Sequence, residues 1–122
     1  MMPSSSKLAV LVVDDQAIVR ETAVDLFESL GLTVYDTCNG PDALRLLIAH
    51  PEIALLFADV RMPGMTGDEL ARQAQQIRPN LKIVLTSGYI DGARLPDVPF
   101  LPKPYRLSDL AALIRSEGET RA

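Results

Sequence analysis

The sequence predicts a doubly wound α/β fold, a five-stranded parallel sheet with helices packed on both faces. Two observations carry this expectation. Apolar runs such as Leu8–Val13, Ile53–Ala58 and Leu81–Leu85 are continuous rather than alternating, as in strands buried on both faces. Between them lie stretches whose apolar residues recur at helical spacing, and strand alternating with helix implies right-handed crossovers and parallel pairing. At 122 residues the chain suits one compact domain that can bury a core without covalent staples.

Met1–Lys7 is polar and Ser-rich and is expected to fray, leaving a domain over 8–115 and a loose tail over 116–122. The first strand, Leu8–Val13, closes on Asp14 and Asp15. A helix follows over about Ala17–Leu30, with Val19, Ala23, Leu26 and Leu30 on one stripe and Gly31 as terminator. Leu32–Asp36 reads as a second strand. Asn39-Gly40-Pro41 opens a second helix with Leu44, Leu47 and Ile48 inward, which ends before Pro51 because proline disfavours helical geometry in the residue ahead of it. His50 falls at that end, as a helix cap favoured by the dipole.

The third strand runs directly into Asp59 and a Pro/Gly-rich turn. Thr66-Gly67-Asp68-Glu69 matches a capping box, so a third helix starts near Thr66 and runs to the Arg78-Pro79 break. A fourth strand, Leu81–Leu85, ends in Thr86-Ser87. Ile90–Val98 contains Gly92 and Pro96 and few apolar residues, so the helix due there is expected to be shortened or absent. Pro99–Leu101 reads as an edge strand, where a missing ladder donor is tolerated, and a last helix over about Leu107–Arg115 packs Leu110, Leu113 and Ile114.

Composition narrows the function. A net charge of -4 without a basic stripe argues against nucleic-acid binding. The lone Cys38 rules out an internal disulfide and suits a reducing compartment. No apolar segment is long enough to span a bilayer or resembles a signal peptide, so a cytoplasmic protein is expected.

In parallel sheets of this kind the ligand crevice lies at the carboxyl ends of the strands. Asp14, Asp15, Asp59, Thr86 and Lys103 would meet there. Any one acid ending a strand also reads as a turn former or helix cap; five polar groups from four strand ends read as a site. Clustered carboxylates call for a hard cation, and Mg2+ suits best because it takes one or two carboxylates and keeps waters for an incoming phosphoryl group. Lys103 adds a mobile ammonium and Thr86 a hydroxyl donor, which together supply the parts phosphoryl transfer requires.

The segments Val12-Val13-Asp14-Asp15, Asp59-Val60-Arg61-Met62-Pro63-Gly64-Met65-Thr66-Gly67, Thr86-Ser87 and Leu101-Pro102-Lys103-Pro104-Tyr105 resemble the receiver (response-regulator) domain of bacterial two-component signalling. The resemblance implies a flavodoxin-like strand order 2-1-3-4-5. It implies that Asp59 accepts a phosphoryl group from a histidine kinase or histidine phosphotransfer protein. It further implies Mg2+ held by Asp15, Asp59 and the Arg61 backbone carbonyl, with Asp14 acting through water. Thr86 would be the switch hydroxyl, Lys103 the phosphate contact and the Lys103-Pro104 bond cis. Phe100 matches the switch aromatic, and equally reads as core packing for an edge strand.

The chain is shorter than a typical receiver between Thr86 and Lys103. A monomer is therefore expected rather than a dimer, with a partner reading the loop Tyr89–Val98. The leading reading is a phosphoacceptor switch rather than an enzyme, either free-standing, a phosphate sink or shuttle, or part of a hybrid histidine kinase. A Mg2+-dependent aspartyl-phosphate phosphatase is the remote alternative, because Arg61 occupies the position where a general acid would be wanted. A binding module that does not turn over is a third reading. No P-loop or G-x-G-x-x-G follows the first strand, which disfavours a nucleotide-binding fold.

Overall fold

The computed structural model of the protein describes residues 8–87 and 99–121, with side chains as far as residue 114. In chain order the elements are β1 (Ala9–Val13), α1 (Ala17–Ser29), β2 (Thr33–Thr37), α2 (Gly40–Ala49), β3 (Ile53–Asp59), α3 (Gly67–Ile77), β4 (Lys82–Ser87), β5 (Phe100–Pro102) and α4 (Leu107–Arg121). The strands form one five-stranded sheet in the order β2-β1-β3-β4-β5, all parallel.

Burial on both faces explains why the central strands are apolar throughout. Leu11, Val13, Leu56, Ala58, Ile83 and Leu85 point to the side covered by α2 and α3, where Ala43, Leu47, Leu70 and Ala74 meet them. Val10, Val12, Leu55, Phe57 and Val84 point to the side of α1 and α4, against Ala23, Phe27 and Leu110. Phe57 there makes edge contacts with Phe27 and with Tyr105, each at 5.2 Å between ring centres.

The helix boundaries follow local chemistry. Asn39 caps α2 by accepting the Asp42 N–H at 2.8 Å. Thr66 and Glu69 complete the capping box of α3, so the helix proper begins at Gly67. Gly31, at φ 87°, ends α1 in the left-handed region that glycine enters freely. His50 caps α2 through its backbone N–H and stacks on Tyr35 with ring centres 4.2 Å apart, at the opposite end of β3 from Asp59. Arg78 also closes that end, donating to the carbonyls of Leu47, Pro51 and Ile53.

Several details differ from the sequence expectation. Phe27 rather than Leu26 is the deepest residue of α1, and Ile48, expected inward, is exposed because Ala43 and Leu47 form the buried stripe of α2. β4 extends through Ser87, and β5 is shifted to Phe100–Pro102. With no proline after Leu107 to stop it, α4 continues to Arg121, past Arg115 and through 116–121 where a loose tail is expected. The Lys103-Pro104 peptide is cis. The expectations for Met1–Lys7, the shortened or absent helix over Ile90–Val98 and the loop Tyr89–Val98 lie outside the described residues. Among the described residues no helix is long and apolar enough to cross a membrane.

Candidate functional site

Parallel pairing sends every strand's carboxyl end to one edge, and backbone bonds continue the sheet a step further. The Asp14 N–H donates to Thr37 O at 3.2 Å, Val60 N–H to Thr86 O at 2.9 Å and Lys103 N–H to Ser87 O at 2.9 Å. These bonds fix the start of each loop. Asp14 follows β1, Asp59 ends β3, Thr86 lies opposite Asp59 in register and Lys103 follows β5.

The site expected from the sequence is thereby assembled. Oxygens of Asp14, Asp15 and Asp59 lie within 4.8 Å of one another, the first and last buried and Asp15 exposed. Lys103 Nζ stands 3.1 Å from Asp14 Oδ2 and 3.5 Å from Asp59 Oδ2, so one ammonium faces two buried carboxylates. Thr86 Oγ1 is buried with no hydrogen-bond partner among the described residues. Leaving a buried hydroxyl unpaired costs on the order of 1–3 kcal/mol.

Electrostatics set the state of Asp59. Burial pushes its carboxyl above the ordinary range, Lys103 opposes this, Asp14 adds to it, and a hydrogen bond from the Arg61 backbone N–H opposes it again. The same charges reach Tyr105, whose phenol is pushed up to about 12 by burial and by Asp14 and Asp59. A raised carboxyl pKa means that the folded chain holds the Asp59 proton more tightly than the unfolded chain. The ionised group therefore destabilises the fold above its folded pKa, and the penalty disappears as pH falls toward the unfolded value. Asp59→Asn is expected to be more stable at pH 7.5 in EDTA by about 1 kcal/mol, or about 4 °C in Tm, with the gain lost near pH 4. Thermal unfolding at the two pH values checks this; equal Tm at pH 7.5 would contradict it.

The carboxylate cluster fits a hard, oxygen-preferring cation: of its three acids, buried Asp14 and Asp59 share one lysine and exposed Asp15 lies beside them. Arg61 lies on the turn beyond Asp59 with its side chain exposed. Phe100, partly buried on β5, packs against the cluster on the α2 and α3 side.

Two contributors escape a reading of the sequence. Gly67 approaches the strand end so closely that a Cβ there would lie 2.4 Å from Asp59 O. Arg20, on α1, donates to the Asp14 carbonyl at 2.9 Å and to Asp36 Oδ2 at 3.0 Å. The only sequence signal for Arg20 is a basic residue early in the helix that follows the acid pair, and it does not reveal a backbone acceptor.

A parallel 2-1-3-4-5 sheet with these groups at its carboxyl edge is the architecture of a receiver, and the sequence pattern of the response regulator receiver domain matches residues 10–115. The chain belongs to that family. It is 36% identical over 107 residues to the response regulator receiver protein CpdR of Brucella abortus, covering 83% of this chain and 88% of that protein. It is 33% identical over 118 residues to the sensor kinase CckA of Brucella abortus, covering 91% of this chain but only 12% of the kinase. Among solved structures, a response regulator receiver protein from Pseudomonas putida superposes with a TM-score of 0.82 at 30% identity, over 91% of this chain and 98% of that one. The receiver domain of the hybrid histidine kinase CckA gives a TM-score of 0.73 at 33% identity, over 88% and 96%.

Proposed function

We propose that the protein is a phosphoacceptor switch in which Asp59 takes a phosphoryl group from a phosphohistidine of a histidine kinase or phosphotransfer protein. The observation that carries this reading is the meeting of buried Asp59 with Asp14, Asp15 and Lys103 at the sheet edge, beside the Thr86 hydroxyl, which has no partner among the described residues.

In this mechanism an Asp59 carboxylate oxygen attacks phosphorus in line. The phosphorus–nitrogen bond breaks, and its electron pair stays with the departing imidazole. Asp15 and Asp59, with the Arg61 carbonyl, would hold Mg2+ and Asp14 would act through water; the bound cation supplies positive charge where phosphoryl charge builds up. Lys103 gives up its Asp59 contact and pairs with a phosphoryl oxygen, remaining within reach of Asp14. Thr86 donates its hydroxyl to the acyl phosphate, so the empty hydrogen bond of the resting state is filled only after transfer. That difference biases a two-state equilibrium, which a partner preferring one state reads out.

The protein acts on itself rather than turning over external substrates, since Arg61 stands where a phosphatase would want a general acid. We place it in the cytoplasm, as a monomer. Coverage of 88% of CpdR supports a free-standing phosphoacceptor, and the similarity to CckA supports a receiver within a hybrid kinase as the second reading.

The test is intact-protein mass after incubation with acetyl phosphate, with and without Mg2+, on wild type and Asp59→Asn. A Mg2+-dependent gain of one phosphoryl group, absent in the variant, is expected. Labelling of Asp59→Asn at the wild-type rate would move the acceptor elsewhere, and no labelling by acetyl phosphate or by histidine-phosphorylated proteins would remove the phosphoacceptor reading.

A further inference from the structure

We infer that Arg20 is a positioning residue for the acid cluster: it clamps the Asp14–Asp15 peptide so that the otherwise unheld Asp15 carboxylate faces the cation site. The inference rests on the proposed cation chemistry.

Asp14 is tied at every polar group. Its N–H donates to Thr37 O, its Oδ1 accepts the Gln16 N–H at 3.0 Å, and its Oδ2 accepts from Lys103 at 3.1 Å. Its carbonyl, the remaining group, accepts from Arg20 Nη1 at 2.9 Å. That carbonyl belongs to the peptide that leads into Asp15, so the arginine fixes the plane from which Asp15 departs. Asp15 needs such help, because its carboxylate is exposed and makes no hydrogen bond or ion pair among the described residues.

Arg20 is itself held in place. Its Nε donates to Asp36 Oδ2 at 3.0 Å, at the end of the neighbouring strand β2, and its side chain is only 19% exposed. A planar guanidinium can serve both acceptors at once, which a lysine ammonium on a flexible stem does poorly. Groups that orient a metal's ligands in this way are commonly worth 10–100-fold in affinity.

A competing role predicts the opposite sign. If Arg20 acted only as a positive charge near three acids, its removal would strengthen cation binding, and Arg20→Lys would match wild type. Positioning predicts that Arg20→Ala binds Mg2+ about tenfold more weakly than wild type and that Arg20→Lys, although it keeps the charge, also loses affinity.

Calorimetric titration with Mg2+ of wild type, Arg20→Ala and Arg20→Lys decides between them, joined by amide hydrogen exchange of the Mg2+-free proteins. Faster exchange at the Gln16 amide, whose N–H donates to Asp14 Oδ1, with the amides of β1 and β3 unchanged, is the expected companion result and does not depend on phosphorylation. Wild-type or tighter Mg2+ affinity in Arg20→Ala overturns the inference, as does full affinity in Arg20→Lys. A wild-type chain that binds no Mg2+ overturns the cation reading and this inference with it, whereas unchanged binding in the variants alone overturns only the role of Arg20.

Discussion

Lys103→Ala is expected to lose about 3 kcal/mol of stability at neutral pH in Mg2+-free buffer, as removal of one partner from a buried charge cluster typically does. The lysine side chain is 16% exposed and faces Asp14 and Asp59 side chains that are 4% and 7% exposed. Without it two nearby carboxylates are left in a poorly hydrated site with no ammonium paired to either. Acidification should reduce the loss, because Asp59 already holds its proton above the ordinary carboxylate range and protonation removes one of the repelling charges. Mg2+ should restore more stability to the variant than it adds to wild type, since the ammonium no longer competes for the same oxygens. Lys103→Met, which keeps the aliphatic stem, separates charge from packing. Denaturant unfolding of the three proteins with and without Mg2+ measures these differences; a loss below about 1 kcal/mol, the range of an exposed ion pair, would show that the site is well hydrated.

Gly67→Ala is the second large effect, and its cause is space. A Cβ at this position would lie 2.4 Å from the Asp59 carbonyl oxygen and 2.9 Å from Val60 Cα. Both are backbone atoms at the end of β3, so no side chain can turn aside, and the Gly67 N–H to Val60 O bond at 3.0 Å holds the two segments together. The variant is expected to lose about 3 kcal/mol, the upper range for overpacking, and to label more slowly at Asp59 because the strand end must shift. Gly64→Ala is the comparison. Gly64 has φ 80° with open space around it, so it should cost only about 1 kcal/mol of backbone strain and leave the Asp59 strand end in place. Equal stability for the two variants would show that the α3 terminus can move without cost.

Much of the fold was legible because its signals are local. Continuous apolar runs mark strands buried on both faces, and the capping box at Thr66 and Glu69 marks the start of α3 within one residue. Boundaries without a local signal were less legible. The end of α4 has no proline to mark it, and whether Ile48 or Leu47 turns inward depends on which face of α2 meets the sheet.

The site divides along the same line. The residue types and their positions after strands were enough to expect Asp14, Asp15, Asp59, Thr86 and Lys103 at one edge, because parallel topology by itself brings strand ends together. The sequence by itself thus determined the fold class, the family and the edge where the polar groups meet. Only the tertiary structure decided which of them touch: that Lys103 stands nearer Asp14 than Asp59, that the Thr86 hydroxyl has no hydrogen-bond partner among the described residues, and that Arg20 holds the Asp14 carbonyl. The physical reason is range. Propensity, periodicity and capping act over a few residues, whereas a hydrogen bond from a side chain to a distant carbonyl, or the approach of a glycine to a strand end, exists only once separate segments have packed.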